Sequence, residues 1–466
     1  VPDERFEDHL RHPRGRGHAP AGGHHGFAGG AACGDHVRLT VAVEGERVVD
    51  AGFEAAGCGA TLAAASAAVE LVGGAGVLDA ARVGSARLAA ELGGLSVGKL
   101  HAADVAADAL ARALGAAARA GARLTPAPQR TLVAMSGGVD SAVAAMLAAG
   151  EAAAVTLELW RDPDNDPERS CCSASAVRAA RALAHRMGLA HFTLDLREEF
   201  RAGVVDPWLA GHAAGLTPNP CVRCNGSVRL DAMLEFAERL GAATLTTGHY
   251  ARRTPDGLLR LAADPGKDQA YVLAGLPREA LARLRFPLGE LTKARVRELA
   301  AEHGLPVAAK PDSQDLCFLA GTGRAAFLAR HGGLGDRPGE IVDRRGRVLG
   351  RHRGHHHFTV GQRRGLGIGA APEPLYVLGT DAAANTVTVG ARAELATAAV
   401  RVRDLRLHAP AGEVDAVKLR YRSAPVACAL AGETIALREP VDGAAPGQVA
   451  VLLRGDAVVG CATIAT

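Results

Sequence analysis

The chain has 466 residues, 48% hydrophobic and 22% charged. That is enough apolar material for two to four folded domains. A net charge of +3 and a pI near 8.4 neither demand nor exclude a nucleic-acid partner, and no apolar run is long enough to span a bilayer. Nine cysteines, an odd number, argue for thiol or metal chemistry over a disulfide scaffold. The first residues, Val1 to Arg16, are charged and carry no apolar signal core, so the expected location is cytoplasmic. The cations are almost all arginine, and the Ala/Arg/Gly-rich composition reads as base bias.

In chain order, Ala32-Cys33-Gly34-Asp35 precedes an alternating run from Val37 to Val43, as a half-buried strand requires. A second run ends at Phe53. Gly57-Cys58-Gly59 then leads into an Ala-rich helix, and Lys99-Leu100-His101 follows later. Thiolate, imidazole and carboxylate together suit iron or zinc, and the glycines leave the sulfurs accessible. From His9-Leu10-Arg11-His12-Pro13-Arg14 to about Leu114 this segment resembles the IscU/NifU N-terminal family of iron–sulfur scaffolds. The resemblance implies an α+β fold with Cys33, Asp35, Cys58 and His101 as metal ligands, holding an iron–sulfur cluster or zinc. The family usually carries a further Cys directly after the His, which receives persulfide sulfur; here that position is Ala102. A vestigial domain whose cysteines are structural or hold zinc is the competing reading. His24 and His25 fall in a Gly-rich stretch and read as solvated loop residues.

The chain divides near Leu124-Thr125-Pro126-Ala127-Pro128, and strand and helix patterns then alternate as in an α/β unit with a parallel sheet. The apolar run Thr131–Met135 is followed by Ser136-Gly137-Gly138-Val139-Asp140-Ser141 and an apolar helical run, Ala142–Leu147. The glycines bend the backbone and present N–H groups, and the helix start adds partial positive charge, so the turn suits a phosphate. No Lys follows the glycines, so this is not the GxxxxGK[ST] loop. It resembles the PP-loop of enzymes that cleave ATP between the α- and β-phosphates to adenylate a substrate.

Further motifs follow: Thr217-Pro218-Asn219-Pro220-Cys221-Val222-Arg223-Cys224-Asn225, Thr247-Gly248-His249-Tyr250-Ala251-Arg252, Lys267-Asp268-Gln269-Ala270-Tyr271 and Asp312-Ser313-Gln314-Asp315-Leu316-Cys317-Phe318. Together these resemble the tRNA 2-thiouridylase family of the MnmA type, over about residues 129 to 466. The chemistry has a plain logic: an adenylate turns a carbonyl oxygen into a leaving group, and a sulfur nucleophile then displaces AMP. The resemblance implies Cys224 as nucleophile and Cys317 as persulfide carrier. It places Ala134, Met135, Ser136, Gly137, Gly138, Val139, Asp140, Ser141, Leu157 and Gly248 at ATP, with Asp140 helping to arrange Mg²⁺. It places Asn219, Pro220 and Cys221 at the target base, and His249, Lys267, Asp268, Gln269, Arg420, Tyr421 and Gln448 at the tRNA.

Many relatives have Asp where this chain has Cys221. Cys221, Cys224 and Cys317 could therefore hold a 4Fe-4S cluster with one open iron, or Cys221 and Cys224 could form a redox pair. These options compete with the persulfide route. Cys428 and Cys461 read as buried apolar residues, and Cys171-Cys172 receive no role. His355-His356-His357 read as loop residues with tRNA within reach, not as a chelate. Toward the C-terminus, Thr386–Val389 alternates and Val449–Leu453 is a continuous apolar run, which suggests a small all-β domain.

The expected organisation is thus multidomain. It comprises an α+β scaffold-like domain (1–124), an α/β PP-loop catalytic domain (125–325), a small central tRNA-binding domain (326–395) and a C-terminal β-barrel (396–466). The expected activity is ATP-dependent 2-thiolation of the wobble uridine, U34, of tRNA, with sulfur from a cysteine desulfurase or a sulfur-relay protein. The competing readings are another PP-loop adenylating ligase and a non-catalytic iron–sulfur carrier. The paired cysteines oppose the first, and the intact SGGVDS opposes the second.

Overall fold

The computed structural model describes residues 3–29, 34–148, 150–162, 173–312, 316–369 and 373–466. Cys33, Cys171, Cys172 and the Ser313–Asp315 part of the fourth motif lie outside the described residues.

The N-terminal unit comprises α1 (Glu4–Arg11), an antiparallel sheet of β1 (His24–Gly29), β2 (His36–Glu44) and β3 (Arg47–Ala56), and the helices α2 (Gly59–Val72), α3 (Val77–Ala80), α4 (Ser85–Glu91) and α5 (Leu100–Gly121). In β2, Val37, Leu39 and Val41 are buried between more exposed neighbours, the period-two pattern of a one-sided sheet. His24 and His25 belong to β1, paired with Val41 and Thr40, so the sequence reading of a loop there is corrected. The alternation of β1 is hidden in sequence by its glycines, which admit α5 at close range. A Cβ on Gly26 would collide with the Ala109 carbonyl.

α5 is buried along most of its length because it packs on two partners. One side covers β1 and β2. The other lies on β6 (Ala190–Asp195), where a Cβ on Gly115 would strike the Thr193 carbonyl. The residues around 125 are therefore a packed seam. Thr125 donates from its N–H and hydroxyl to Glu46 Oε1 at 2.7 and 2.6 Å, and the His191 N–H donates to the Ala81 carbonyl at 2.9 Å.

The second unit is an all-parallel sheet of β4 (Ala127–Ala134), β5 (Ala152–Glu158), β6, β7 (Ala242–Thr246) and the short strand Leu284–Arg285. Its spatial order runs β6, β5, β4, β7, Leu284–Arg285. The chain winds outward from β4 to β6 and then returns to the other side of β4. That reversal opens a crevice beyond the carboxyl ends of β4 and β7, where doubly wound sheets take their ligands. α6 (Val139–Leu147) starts at this crevice.

A four-stranded sheet (Gly339–Val342, Val348–His352, Tyr376–Asp381, Thr386–Gly390) follows. Beyond it Ala396–Leu407 pairs with both Thr434–Asp442 and Ala457–Ile464, closing a six-stranded antiparallel barrel. Closure leaves no open edge within the ring. The core strand Leu259–Arg260 pairs onto Ala457–Ile464, so barrel and core are continuous. His355–His357 form a short 3₁₀ turn with His355 and His356 buried. His355 Nε2 lies 3.2 Å from the Ala213 carbonyl and Nδ1 3.2 Å from Asn385 Oδ1. Burial thus removes these two from the tRNA-facing surface that the sequence reading allowed. Cys428 and Cys461 are buried in the barrel, as expected for small apolar residues.

Candidate active site and N-terminal centre

The turn after β4 is held by its own hydroxyls. Ser141 Oγ accepts the Ser136 N–H at 3.1 Å and donates to the Gly138 carbonyl at 3.0 Å. Gly137 has φ +70°, which side-chain-bearing residues rarely adopt. Gly248 packs against the start of α6, where a Cβ would lie 2.9 Å from Ser141 N, so only glycine lets the 247–250 loop approach. Ala134 ends β4, Met135 is buried and donates its N–H to the Val155 carbonyl, and Leu157 is buried on β5. Val139 is buried in the first turn of α6. The turn borders a cavity of about 1120 Å³ that also meets Lys267, Lys310 and, from the barrel, Tyr421. That is ample for a nucleoside triphosphate with part of a second substrate.

An ion-pair lattice fills one wall. Lys293 Nζ contacts both oxygens of Asp140, at 2.7 and 2.8 Å, and Tyr250 donates its hydroxyl to Asp140 at 2.7 Å. Lys293 also lies 2.8 Å from Asp312, which takes Lys267 at 2.7 Å and Arg297 at 2.9 Å. Burial pushes the Asp312 carboxyl up, but the ammonium groups of Lys267 and Lys293 outweigh it and bring it down to about 2. Burial, and then the Asp140 carboxylate, raise the Tyr250 phenol. Lys310 Nζ donates to the Gly137 carbonyl at 2.9 Å. The sequence reading assigned no role to Tyr250, Lys293, Lys310 or Asp312. Lys293 stands far along the chain from Asp140, so spacing carries no signal.

Asn219 caps the single turn Pro220–Cys224, its Oδ1 accepting the N–H groups of Cys221 and Val222 at 3.0 and 3.3 Å. Cys224 is buried, whereas Cys221 and Cys317 are half-buried. The two cysteine-bearing turns rest on one stretch of chain. Arg223 Nε donates to the Gly203 carbonyl at 2.5 Å, and Phe318, next to Cys317, packs edge-on to Phe200 and Trp208 at 5.9 and 5.3 Å. His249 Nδ1 lies 3.0 Å from Thr247 Oγ1, and burial, with Arg229 adding, pushes its imidazole down to about 3.

Several residues placed at the tRNA by resemblance also brace the site. Asp268 is buried: Oδ1 accepts the Ala262 and Ala270 N–H groups, and Oδ2 pairs with Lys418 of the barrel at 3.0 Å. Gln269 Oε1 accepts the Tyr250 N–H at 2.9 Å. Gln448 Nε2 donates to the Thr217 carbonyl at 2.7 Å, tying the barrel to the loop that carries Asn219. Arg420 is exposed and donates to the carbonyls of Asp442 and Gly443, and the Tyr421 ring lies 6.0 Å from Tyr271.

In the N-terminal unit, Asp35, Cys58 and His101 bring one donor atom each within 4.8 Å of the others, the one such group among the described residues. Asp35 Oδ2 lies 2.9 Å from His101 Nε2 and accepts the Thr61 hydroxyl at 2.8 Å, and Oδ1 accepts the Cys58 N–H at 3.0 Å. Burial opposes ionisation of Asp35, but hydrogen bonds from Thr61, His101 and Cys58 outweigh it and lower its pKa. Cys58 is likewise lowered: burial raises it, and hydrogen bonds from Thr61 and Ala60 prevail. An ionised carboxylate beside a thiol biased toward thiolate is a donor set that fits zinc or iron.

Four family models match the chain in series: "NifU-like N terminal domain" over residues 3–120, "tRNA methyl transferase HUP domain" over 129–321, "tRNA methyl transferase PRC-barrel domain" over 325–391 and "Aminomethyltransferase beta-barrel domain" over 398–464. A "Bifunctional protein NifU/MnmA" of Rubrobacter xylanophilus is 44% identical over 99% of this chain and 98% of its own length. A "tRNA-specific 2-thiouridylase MnmA" of Rhizorhabdus wittichii is 46% identical over 71% of this chain and 90% of its own. One of the same description from Geobacter metallireducens is 44% identical over 72% and 96%. A PP-loop crevice, two cysteine turns on a shared support and a three-donor centre in an N-terminal unit thus occur together in a chain alignable end to end with such a relative, and the chain belongs to the bifunctional NifU/MnmA family.

Proposed function

We propose that the chain is an ATP-dependent tRNA-uridine 2-sulfurtransferase acting at C2 of the wobble uridine. The observation that carries this reading is the pairing of the PP-loop cavity with two cysteine-bearing turns seated on the same 200–208 stretch. ATP binds with its phosphates against the Ser136–Ser141 turn, whose N–H groups and helix start favour anions. The base oxygen attacks the α-phosphorus and pyrophosphate leaves. The terminal sulfur of a Cys317 persulfide then attacks C2 and AMP departs. The Cys224 thiolate attacks Cys317 Sγ, freeing the thiocarbonyl and leaving a Cys224–Cys317 disulfide that a dithiol reductant reopens. Neutral His249 serves the tRNA as a hydrogen-bonding group without charge. Methyl transfer, the wording of two matched models, needs neither an adenylating loop nor paired thiols.

Mg²⁺ accompanying ATP would supply charge neutralisation, and Asp140 is the carboxylate best placed to help hold it. Asp35, Cys58 and His101, with Cys33 as fourth candidate, would hold zinc or an iron–sulfur cluster. The fused centre also favours a second route, a 4Fe-4S cluster on Cys221, Cys224 and Cys317. Sulfur would come from a cysteine desulfurase or a relay protein, in the cytoplasm. Among the described residues no helix is long and apolar enough to cross a membrane. The division at 124, 325 and 395 belongs to this reading.

The test is mass spectrometry of tRNA nucleosides after incubation of unmodified tRNA with protein, ATP and a persulfide donor. Formation of 2-thiouridine by iron-free protein supports the persulfide route. Formation only by anaerobic, iron-loaded protein supports the cluster route. No 2-thiouridine under either condition removes the proposal.

A further inference from the structure

A second cavity, of about 920 Å³, lies on the seam between the N-terminal unit and the catalytic core. One wall is β1 with the flank of α5. The other is formed by the carboxyl ends of β5 and β6 and the start of α7 (Ala174–Arg186). Neither unit encloses it alone. Doubly wound sheets take ligands beyond the carboxyl ends of their strands, and this cavity lies along that rim, beside the nucleotide crevice.

Its margins reach three places. Gly29, at the end of β1, abuts the N-terminal centre, where a Cβ would lie 2.2 Å from the Asp35 carbonyl. Ser173, which caps α7, borders this cavity and the nucleotide cavity alike. Trp160, on the wall, packs on Phe327 at 5.6 Å, and Phe327 packs at 5.1 Å on Phe318, the neighbour of Cys317.

The charge left over in the cavity is positive. Arg112 is held by Asp108 and Glu158, Arg197 by Asp195, and Asp162 by Arg330 and His331. Arg178 reaches only Asp108, at 4.0 Å, a carboxylate already committed to Arg112 and Arg181. Arg161 has no carboxylate partner among the described residues. The Thr193 hydroxyl and the Trp160 indole N–H, on residues of the same wall, are buried without a hydrogen-bond partner among the described residues. Native proteins rarely leave such groups unmet, and a ligand with acceptor atoms would meet them.

Two spare guanidinium groups and a volume in the range of small-molecule sites call for a small organic anion. Its surroundings decide which, because the cavity lies between the Cys58 centre and the Cys317 turn. We infer that it seats a low-molecular-weight persulfide bearing a carboxylate, which pairs with Arg161 and Arg178 and delivers sulfur to Cys317. The inference rests on the thiolation reading above and adds a class of sulfur donor to it. The Cys317 thiolate attacks the outer sulfur of the persulfide. A bond from Cys317 Sγ to that sulfur forms, the donor's own S–S bond breaks, and the inner sulfur leaves as a thiolate with the electron pair. The proton on the outer sulfur stays there, and no oxidant or reductant is consumed.

Glutathione is the stable probe, and glutathione persulfide the sulfur donor. Calorimetric titration of glutathione into the full chain should show binding that an R161A/R178A double variant and A116W, which fills the α5 wall, each weaken by about tenfold or more. In the nucleoside assay both variants should raise the KM for glutathione persulfide and leave kcat and the KM for ATP unchanged. R5A, on the exposed side of α1, should match the wild type in both measurements. No glutathione binding, or equal affinity in the wild type and both variants, overturns the inference. Should A116W fail to fold, as judged by its thermal melt, the double variant decides. The two readings fail separately. Glutathione binding that the variants lose, in a protein that never forms 2-thiouridine, upholds the anion seat and removes thiolation. Thiolation with an unchanged persulfide KM in the variants removes the seat and leaves thiolation standing.

Discussion

The two chemical centres of this chain are built in opposite ways. At the N-terminal centre the donors already converge: one oxygen of Asp35 meets His101 and Thr61, and the other is fixed by the Cys58 backbone. In the nucleotide cavity the charged groups satisfy one another, Lys293 against Asp140 and Lys267 against Asp312. The first arrangement suits a resident ion that stays. The second suits substrates that come and go, because its charged groups are satisfied by one another without an occupant.

Four measurements would break or sharpen that contrast. The largest effect is expected at the cysteines. C224S and C317S should each lower 2-thiouridine formation by about a thousandfold or more, read by nucleoside mass spectrometry, while ATP binding is retained. Loss of ATP binding as well would mean that the two turns build the nucleotide site.

The seam between the centres comes next. Asp108 of α5 pairs with Arg181 at 2.7 Å and Arg112 at 2.6 Å, and Arg112 reaches Glu158 at the end of β5. Burial opposes the Asp108 charge, and Arg181 and Arg112 outweigh it. D108A strands the buried Arg181 guanidinium, while Arg112 keeps Glu158, so denaturant unfolding should show a loss of about 3 kcal/mol. A negligible loss would show that the units are merely tethered.

At the N-terminal centre, D35A should reduce zinc or iron affinity by about a hundredfold, measured by metal competition, and leave thiolation from a small-molecule persulfide unchanged. A fall in that activity would join the two centres functionally.

The smallest effect concerns pH. The folded pKa of Asp312 lies at about 2, below its ordinary 3.8. A depressed carboxylate contributes stability that is present above about pH 4 and lost as pH falls toward 2. Urea unfolding should therefore weaken more steeply over that interval in the wild type than in D312N. Parallel profiles would mean that the lattice does not bias Asp312.

Sequence alone determined the local items: the glycine turn between strand and helix, the alternation of β2 and the apolar run Val449–Leu453; it also singled out Asp35, Cys58 and His101, which the fold brings together. Each depends on residues close in the chain or on motif context, and backbone geometry at short range is set by local sterics. His24 and His25 escaped because glycine masks strand alternation. His355 and His356 escaped because burial depends on what packs above a turn, here Asn385 and the Ala213 carbonyl. The pairing of Asp268 with a barrel lysine leaves no local trace in the sequence. Only the tertiary structure decided that Lys293 meets Asp140, that α5 lies on β6, and that the barrel walls the nucleotide cavity. Those facts join residues far apart in the chain, and long-range electrostatic pairing leaves no periodic trace in a sequence.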